Sequence, residues 1–330
     1  MVTVLTLLAG FALLIAGGEF LVRGSVQVAT RLGVSPLVIG LTLVGFGTST
    51  PELVISVQAA LSDAPGIAYG NIVGSNIANI LLIAGVAALI SPMAIASTAL
   101  RRDGAVMVAV AALFAMLSLA MPLGRLVGAA FLAMLMAYVY LAFRQERRAP
   151  AADHTADHGA VYDKSLALQE ADPALAPPHP PARSLGWSAA IALGGLVLVV
   201  LGGRLLVSGA VTLARDFGIS ETVIGLTIVA VGTSMPEFVT SVVAGLRRQG
   251  DVAFGNIVGS NIYNILGIGG ATALIAPGAV PVEIVRFDNL VMIGVSLALV
   301  AFAWTGLRIS RREGAALLAG YGIYLFVLWP

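Results

Sequence analysis

The chain has 330 residues, 58% of them hydrophobic and only 11% charged, and its mean hydropathy of +0.97 lies outside the range of soluble domains, which are roughly a quarter charged. A net charge of +1 with no basic patch interleaved with aromatics excludes a nucleic-acid binder, and the absence of cysteine excludes disulfides, thiolate metal ligands and thiol redox chemistry. What remains is an all-α protein whose principal partner is the lipid bilayer.

Apolar runs of about the 20 residues that cross a bilayer fall near 3–22, 36–61, 66–90, 105–121, 125–143, 186–213, 221–246, 253–276, 288–305 and 314–329. This predicts ten transmembrane helices. The first has no basic region ahead of it and no small-residue cleavage site, so it is expected to be a retained helix and not a signal peptide. With ten spans, 14 of the 18 basic residues fall on one side, among them Arg23, Arg31, Arg144 and Lys164, and four (Arg125, Arg204, Arg215 and Arg286) on the other. The positive-inside rule then puts both termini outside the cytoplasm and the centre of the chain within it. Arg23, four residues after Glu19, is expected to pair with it on the first helix.

Residues 1–143 and 185–330 carry the same pattern at a constant offset of 185 residues, and 30 of the 48 pairs between Val38 and Gly85 are identical. This is a duplicated five-helix unit. An odd number of crossings separates equivalent positions, so the second unit is expected to be inverted in the membrane, an arrangement typical of secondary transporters. The segment 144–184 between them is polar and proline-rich and reads as a solvated cytoplasmic linker. Its His154 and His158 sit four apart beside Asp153 and Asp157, a spacing that binds metal on a helix, but a solvated linker is the favoured reading.

Each unit places one carboxylate in an apolar run: Glu52 in GTSTPE and Glu237 in GTSMPE. An ionisable group at membrane depth is costly and marks a functional site. On a helix, Thr48 and Ser49 precede Glu52 by four and three residues and share its face, as Thr233 and Ser234 do for Glu237. Pro51 and Pro236 release the carbonyls of Gly47 and Gly232, and such carbonyls persist in a membrane only where protein or a wet cavity satisfies them. The following spans carry polar stripes, Asn71, Ser75 and Asn79 in one and Asn256, Ser260 and Asn264 in the other. Two carboxylates among many neutral oxygens suit a hard cation such as Ca²⁺, not Zn²⁺ or Cu²⁺.

GTSxPE followed by GNIVGSN, each in two copies, resembles the cation/Ca²⁺ antiporter superfamily, and most closely its prokaryotic sodium/calcium exchangers. The resemblance implies a fold of ten transmembrane helices in two inverted-topology repeats, with an ion site at the midplane between helices 2, 3, 7 and 8. It implies cation ligands at Thr48, Ser49, Glu52, Ser75 and Asn79 and at Thr233, Ser234, Glu237 and Ser260, with carbonyl ligands at Gly45 and Ala230. Asn264 belongs to the same candidate set. It is also where the chain departs from an archaeal relative that has Asp, and Asn cannot titrate.

The expected activity is exchange of Na⁺ for Ca²⁺ by alternating access in the inner membrane, with the ions as substrates and no cofactor. The alternative is H⁺-coupled exchange of Ca²⁺ or another divalent ion. Asn and Ser stand where the proton-coupled branch typically carries an acid, which favours Na⁺. A cation channel fits less well, because one chain encloses the pseudo-symmetric site and a monomer is expected to suffice. An enzyme is not expected, because no buried His partners any Ser.

Overall fold

The computed structural model describes residues 2–32, 45–47, 49–95, 100–146, 160–171 and 184–329. Thr48, His154 and His158 lie outside the described residues, as does the start of the second expected span. The principal helices of the described residues are α1 (Val2–Arg31), α2 (Thr50–Leu61), α3 (Pro65–Ile90), α4 (Leu100–Ala120), α5 (Arg125–Glu146), α6 (Ala160–Ala171), α7 (Leu185–Phe217), α8 (Glu221–Thr233), α9 (Met235–Leu246), α10 (Gly250–Ile275), α11 (Ile284–Trp304) and α12 (Arg311–Leu328).

Among the described residues seven helices are long and apolar enough to cross a bilayer, namely α1, α3, α4, α5, α7, α10 and α11. The pair α8 and α9, bent by 50°, makes an eighth if taken as one span. The apolar run of α12 is short because its first turn holds Arg311, Arg312 and Glu313, the last closing a capping box with Ser310.

Burial sorts these helices into layers. In α3 and α10, 83% of the apolar window is buried, against 28–39% in the other five long helices. A helix that is apolar all round belongs in the centre, and these two carry the GNIVGSN segments. Leu126, Phe326 and Met136 are among the large side chains left exposed on α5 and α12, as expected of a surface that faces lipid.

α1 runs along α7 on a glycine seam. Gly10 abuts Gly202 and Leu206, Gly17 abuts Gly195 and Val199, and Gly24 abuts Ser188 and Ala192, so the two helices are antiparallel. A methyl group on Gly195 would lie 2.3 Å from the Leu21 backbone nitrogen. Only hydrogen fits there, which is how small residues bring membrane helices into backbone contact. The halves also interlock through their loops. Met93 and Ala94 pair antiparallel with Ile309 and Arg308, and a matching bridge joins Leu123 to Gly278.

One segment departs from the sequence reading. Residues 160–171, assigned to a solvated linker, form a docked helix, α6, in which Lys164 is 0% and Leu168 2% exposed. The polar average of the whole segment hid a short run whose residues 164, 168 and 171 share one helical face.

Candidate functional site

The site lies where the broken helices meet the central ones. The chain leaves the helical turn Gly45–Gly47, passes Ser49 at φ −86°, ψ 13°, and begins α2 at Thr50 with Pro51 in its first turn. The second half repeats this at Ser234, with φ −80° and ψ 10°, and Pro236. Proline is tolerated in a first turn because the missing N–H has no helical partner there. The expectation that Ser49 and Glu52 share the face of one continuous helix is therefore corrected. The serine is the break itself, and each glutamate sits in the first turn of a new helix, where the dipole favours an anion.

That break aims each serine across the molecule. The Ser49 hydroxyl donates to Glu237 Oε1 at 3.0 Å and the Ser234 hydroxyl to Glu52 Oε1 at 3.4 Å. Each half thus solvates the carboxylate of the other. The central helices buttress the same turns: Asn71 donates to the Glu52 carbonyl at 3.1 Å and to Ser56 Oγ at 2.9 Å, and Asn256 to the Glu237 carbonyl at 3.2 Å and Ser241 Oγ at 2.8 Å. Ser56 and Ser241 were not singled out in the sequence, although they too recur at the 185-residue offset.

Of the remaining expected ligands, Thr233, Ala230 and Ser75 join this network. Thr233 donates to Asn71 Oδ1 at 3.0 Å, and the Ala230 carbonyl accepts from Ser75 at 3.5 Å. Asn79 donates to Asn261 Oδ1 at 2.9 Å. Asn79 and Asn264 each open a π-helical turn, Asn79–Ala84 and Asn264–Gly269, a local widening frequent at functional sites. Asn264 and Ser260 are buried at positions matching their counterparts. Gly45 lies in the short turn ahead of Ser49. Glu19 and Arg23 form the expected ion pair on α1, apart from this cluster.

Among the described residues, five buried oxygens on the residues of the two polar stripes and the two glutamates have no hydrogen-bond partner: Glu52 Oε2, Glu237 Oε2, Asn79 Oδ1, Asn256 Oδ1 and Ser260 Oγ. Leaving such groups unpaired costs about 1–3 kcal/mol each, more for a carboxylate, and a cation offsets that cost directly. Among the described residues no three His, Cys, Asp or Glu side chains cluster. Any ion held here is therefore held by two carboxylates and neutral oxygens, the donor set of a hard cation.

One functional group escaped the sequence reading. The Lys164 ammonium of α6 donates to Ser49 Oγ at 3.0 Å, stands 3.7 Å from Glu237 Oε1 and lies 5.9 Å from the centre of the Tyr263 ring. Burial pushes it below the ordinary lysine pKa, opposed by the Glu237 and then the Glu52 carboxylate. The available signal was compositional, because Lys164 is the one lysine among 18 basic residues.

Comparison with known proteins gives a consistent result. A sequence profile described as "Sodium/calcium exchanger protein" matches residues 2–144 and 187–329. The sodium/calcium exchanger MaX1 of Methanosarcina acetivorans is 38% identical over 348 residues, covering 100% of this chain and 99% of MaX1. The candidate antiporter CaxA of Alkalimonas amylolytica is 36% identical over 332 residues, covering 100% and 99%. Among solved structures, the sodium-calcium exchanger NCX_Mj soaked with Na⁺ and Sr²⁺ superposes with a TM-score of 0.63 at 30% identity, over 99% of each chain.

Proposed function

This chain belongs to the sodium/calcium exchanger family, whose members are transporters and not enzymes, and on that premise we propose that it exchanges Na⁺ for Ca²⁺ through a site centred on Glu52 and Glu237. It is a multi-pass membrane protein and a cation/Ca²⁺ antiporter. The observation that carries the finer reading is the reciprocal pairing. Ser49 binds the glutamate of the second half and Ser234 that of the first, with one oxygen of each carboxylate buried and unpartnered.

The chemistry follows from charge. Two ionised carboxylates among apolar helices oppose movement of the empty site until cations neutralise them. One Ca²⁺ or two or more Na⁺ do so, and occupancy by one ion species excludes the other. Alternate occupancy thereby couples the two fluxes. Ser49, Ser75, Asn79, Thr233, Ser234 and Ser260 supply neutral oxygens to the ions, with Thr48, Asn264 and the carbonyls of Gly45 and Ala230 as further members of the set. Neutral Asn79 and Asn264 favour Na⁺ over H⁺ as counter-ion.

Ten spans in two inverted five-helix units, 1–143 and 185–330, complete the proposal. Its support is that the repeat-equivalent helices α1 and α7, with Gly10, Gly17 and Gly24 matching Gly195, Gly202 and Gly209, run antiparallel. The charge bias assigns both termini to the outside and the 144–184 connection to the cytoplasm. A single chain encloses the site, so a monomer suffices. Uptake of ⁴⁵Ca²⁺ into Na⁺-loaded proteoliposomes tests the reading. Uptake should require the outward Na⁺ gradient; uptake driven by a proton gradient instead would replace Na⁺ by H⁺, and uptake indifferent to both would refute exchange.

A further inference from the structure

α6 brings a positive charge into the site described above, from a segment that the transport reaction does not call for. Burying a lysine is expensive unless it is paired, and Lys164 is fully buried on the two groups that define half of the site, Ser49 and Glu237. It donates to the hydroxyl that in turn donates to the carboxylate. An ammonium is a compact charge with three donors, closer to a metal ion in size than the planar fork of arginine. This position holds the chain's sole lysine, while its other 17 basic residues are arginine.

The surroundings are specific to this contact. Tyr263, whose ring faces the ammonium, stands where the first repeat has Ala78, and its stacking partner Phe46, 4.6 Å away between ring centres, stands where the second repeat has Val231. The duplication is broken on the face where α6 docks. One turn beyond Lys164, Leu168 packs with Val22, Val26 and Ala29 of α1. Tyr162 packs near Ala142 and Phe143 at the end of α5. α6 therefore ties the ion site to the α1/α7 pair. With Ala171, Leu168 also walls a cleft of about 370 Å³ that runs past Gly18, Pro51 and Pro236.

We propose that α6 is a tethered plug: Lys164 occupies a cation position of the transport site and competes with ions arriving from the linker side, while Leu168 holds α1 against the site. The inference rests on the exchange reading above. Because the competitor is attached to the chain, its effective concentration is fixed by the connections on either side of α6, and the transported ion must displace it. Half-saturation of exchange on the linker side then needs a higher cation concentration than an open site would. Removing the ammonium lowers the concentration needed. A plug engaged about nine-tenths of the time weakens apparent binding about tenfold.

Two measurements on the full chain test this. In Na⁺-gradient-driven ⁴⁵Ca²⁺ flux, Lys164→Gln is expected to lower the half-saturating Ca²⁺ on the linker side about tenfold without loss of maximal rate, and Lys164→Arg to lower it too. Because the chain has no cysteine, Leu168→Cys, or the smaller change Ala171→Cys, reports docking through its reaction with an impermeant maleimide. Labelling should be slow without ions and about tenfold faster in saturating Ca²⁺ or Na⁺. In the Lys164→Gln background it should be fast in every condition. Unchanged half-saturation together with ion-independent labelling overturns the plug, and so does loss of flux in Lys164→Gln protein that still binds Ca²⁺, which would make Lys164 structural. Absence of gradient-driven flux in the unsubstituted protein refutes the exchange reading, whereas ion-dependent labelling still reads the plug on its own.

Discussion

Glu237→Gln removes one negative charge while preserving shape, and Oε1 remains to accept the Ser49 hydroxyl at 3.0 Å. The structure supplies a working distance for a cation at this carboxylate, since the Lys164 ammonium stands 3.7 Å from Oε1. At that separation and an effective dielectric of about 20, unit charges attract by about 4.5 kcal/mol, and a divalent ion by about 9. The amide carbonyl remains as a neutral ligand. If it restores about half of the loss, the net penalty is about 4–5 kcal/mol for Ca²⁺ and about 2 kcal/mol for Na⁺, a thousandfold or more against tens of fold. Isothermal titration of purified protein with each ion, alongside ⁴⁵Ca²⁺ flux, reads both numbers, and Glu52→Gln should likewise lose more affinity for Ca²⁺ than for Na⁺, because Glu52 too begins a helix and accepts from the serine of the other half. Near-normal Ca²⁺ affinity in either variant would refute the site, and equal losses for the two ions would refute the electrostatic argument.

Ser234→Ala leaves Glu52 Oε1 without its donor at 3.4 Å, and loss of a hydrogen bond to a charged group, worth about 1.5–3 kcal/mol, should weaken Ca²⁺ binding roughly 10- to 100-fold while the fold persists; unaltered titration would count against the cross-half pairing. Gly195→Ala forces a methyl group to 2.3 Å from the Leu21 backbone, whereas nothing lies within 4 Å of a methyl group at Gly194. The first change should lower thermal stability in detergent, by about 1–3 kcal/mol for overpacking, and slow exchange, while Gly194→Ala should match the parent; equal melting curves would mean that the α1/α7 seam is looser than described. Asn71→Leu removes the donor to the Glu52 carbonyl and Ser56 and the acceptor for Thr233, so it should both lower the melting temperature and reduce maximal flux. A flux defect without any loss of stability would point away from a buttressing role.

Much of this protein was legible before folding, because a bilayer leaves few choices. Hydropathy located the long helices, and the 185-residue offset marked both glutamates, both prolines and the asparagine stripes as one duplicated apparatus. Two features escaped because they depend on which atoms meet in space. Spacing along a helix paired Ser49 with Glu52, whereas the break at Ser49 turns its hydroxyl 188 residues away to Glu237, a consequence of proline restarting the helix one residue later. Composition averaged over 144–184 gave a solvated linker, and only packing shows that Lys164 within it is the most deeply buried cation of the described chain. The sequence by itself determined a duplicated, oxygen-rich, doubly acidic membrane protein, since those properties reside in residue types and their periods. The tertiary structure alone decided which half serves which carboxylate and what stands at the site, since a hydrogen bond or an ion pair between distant segments has no period to announce it.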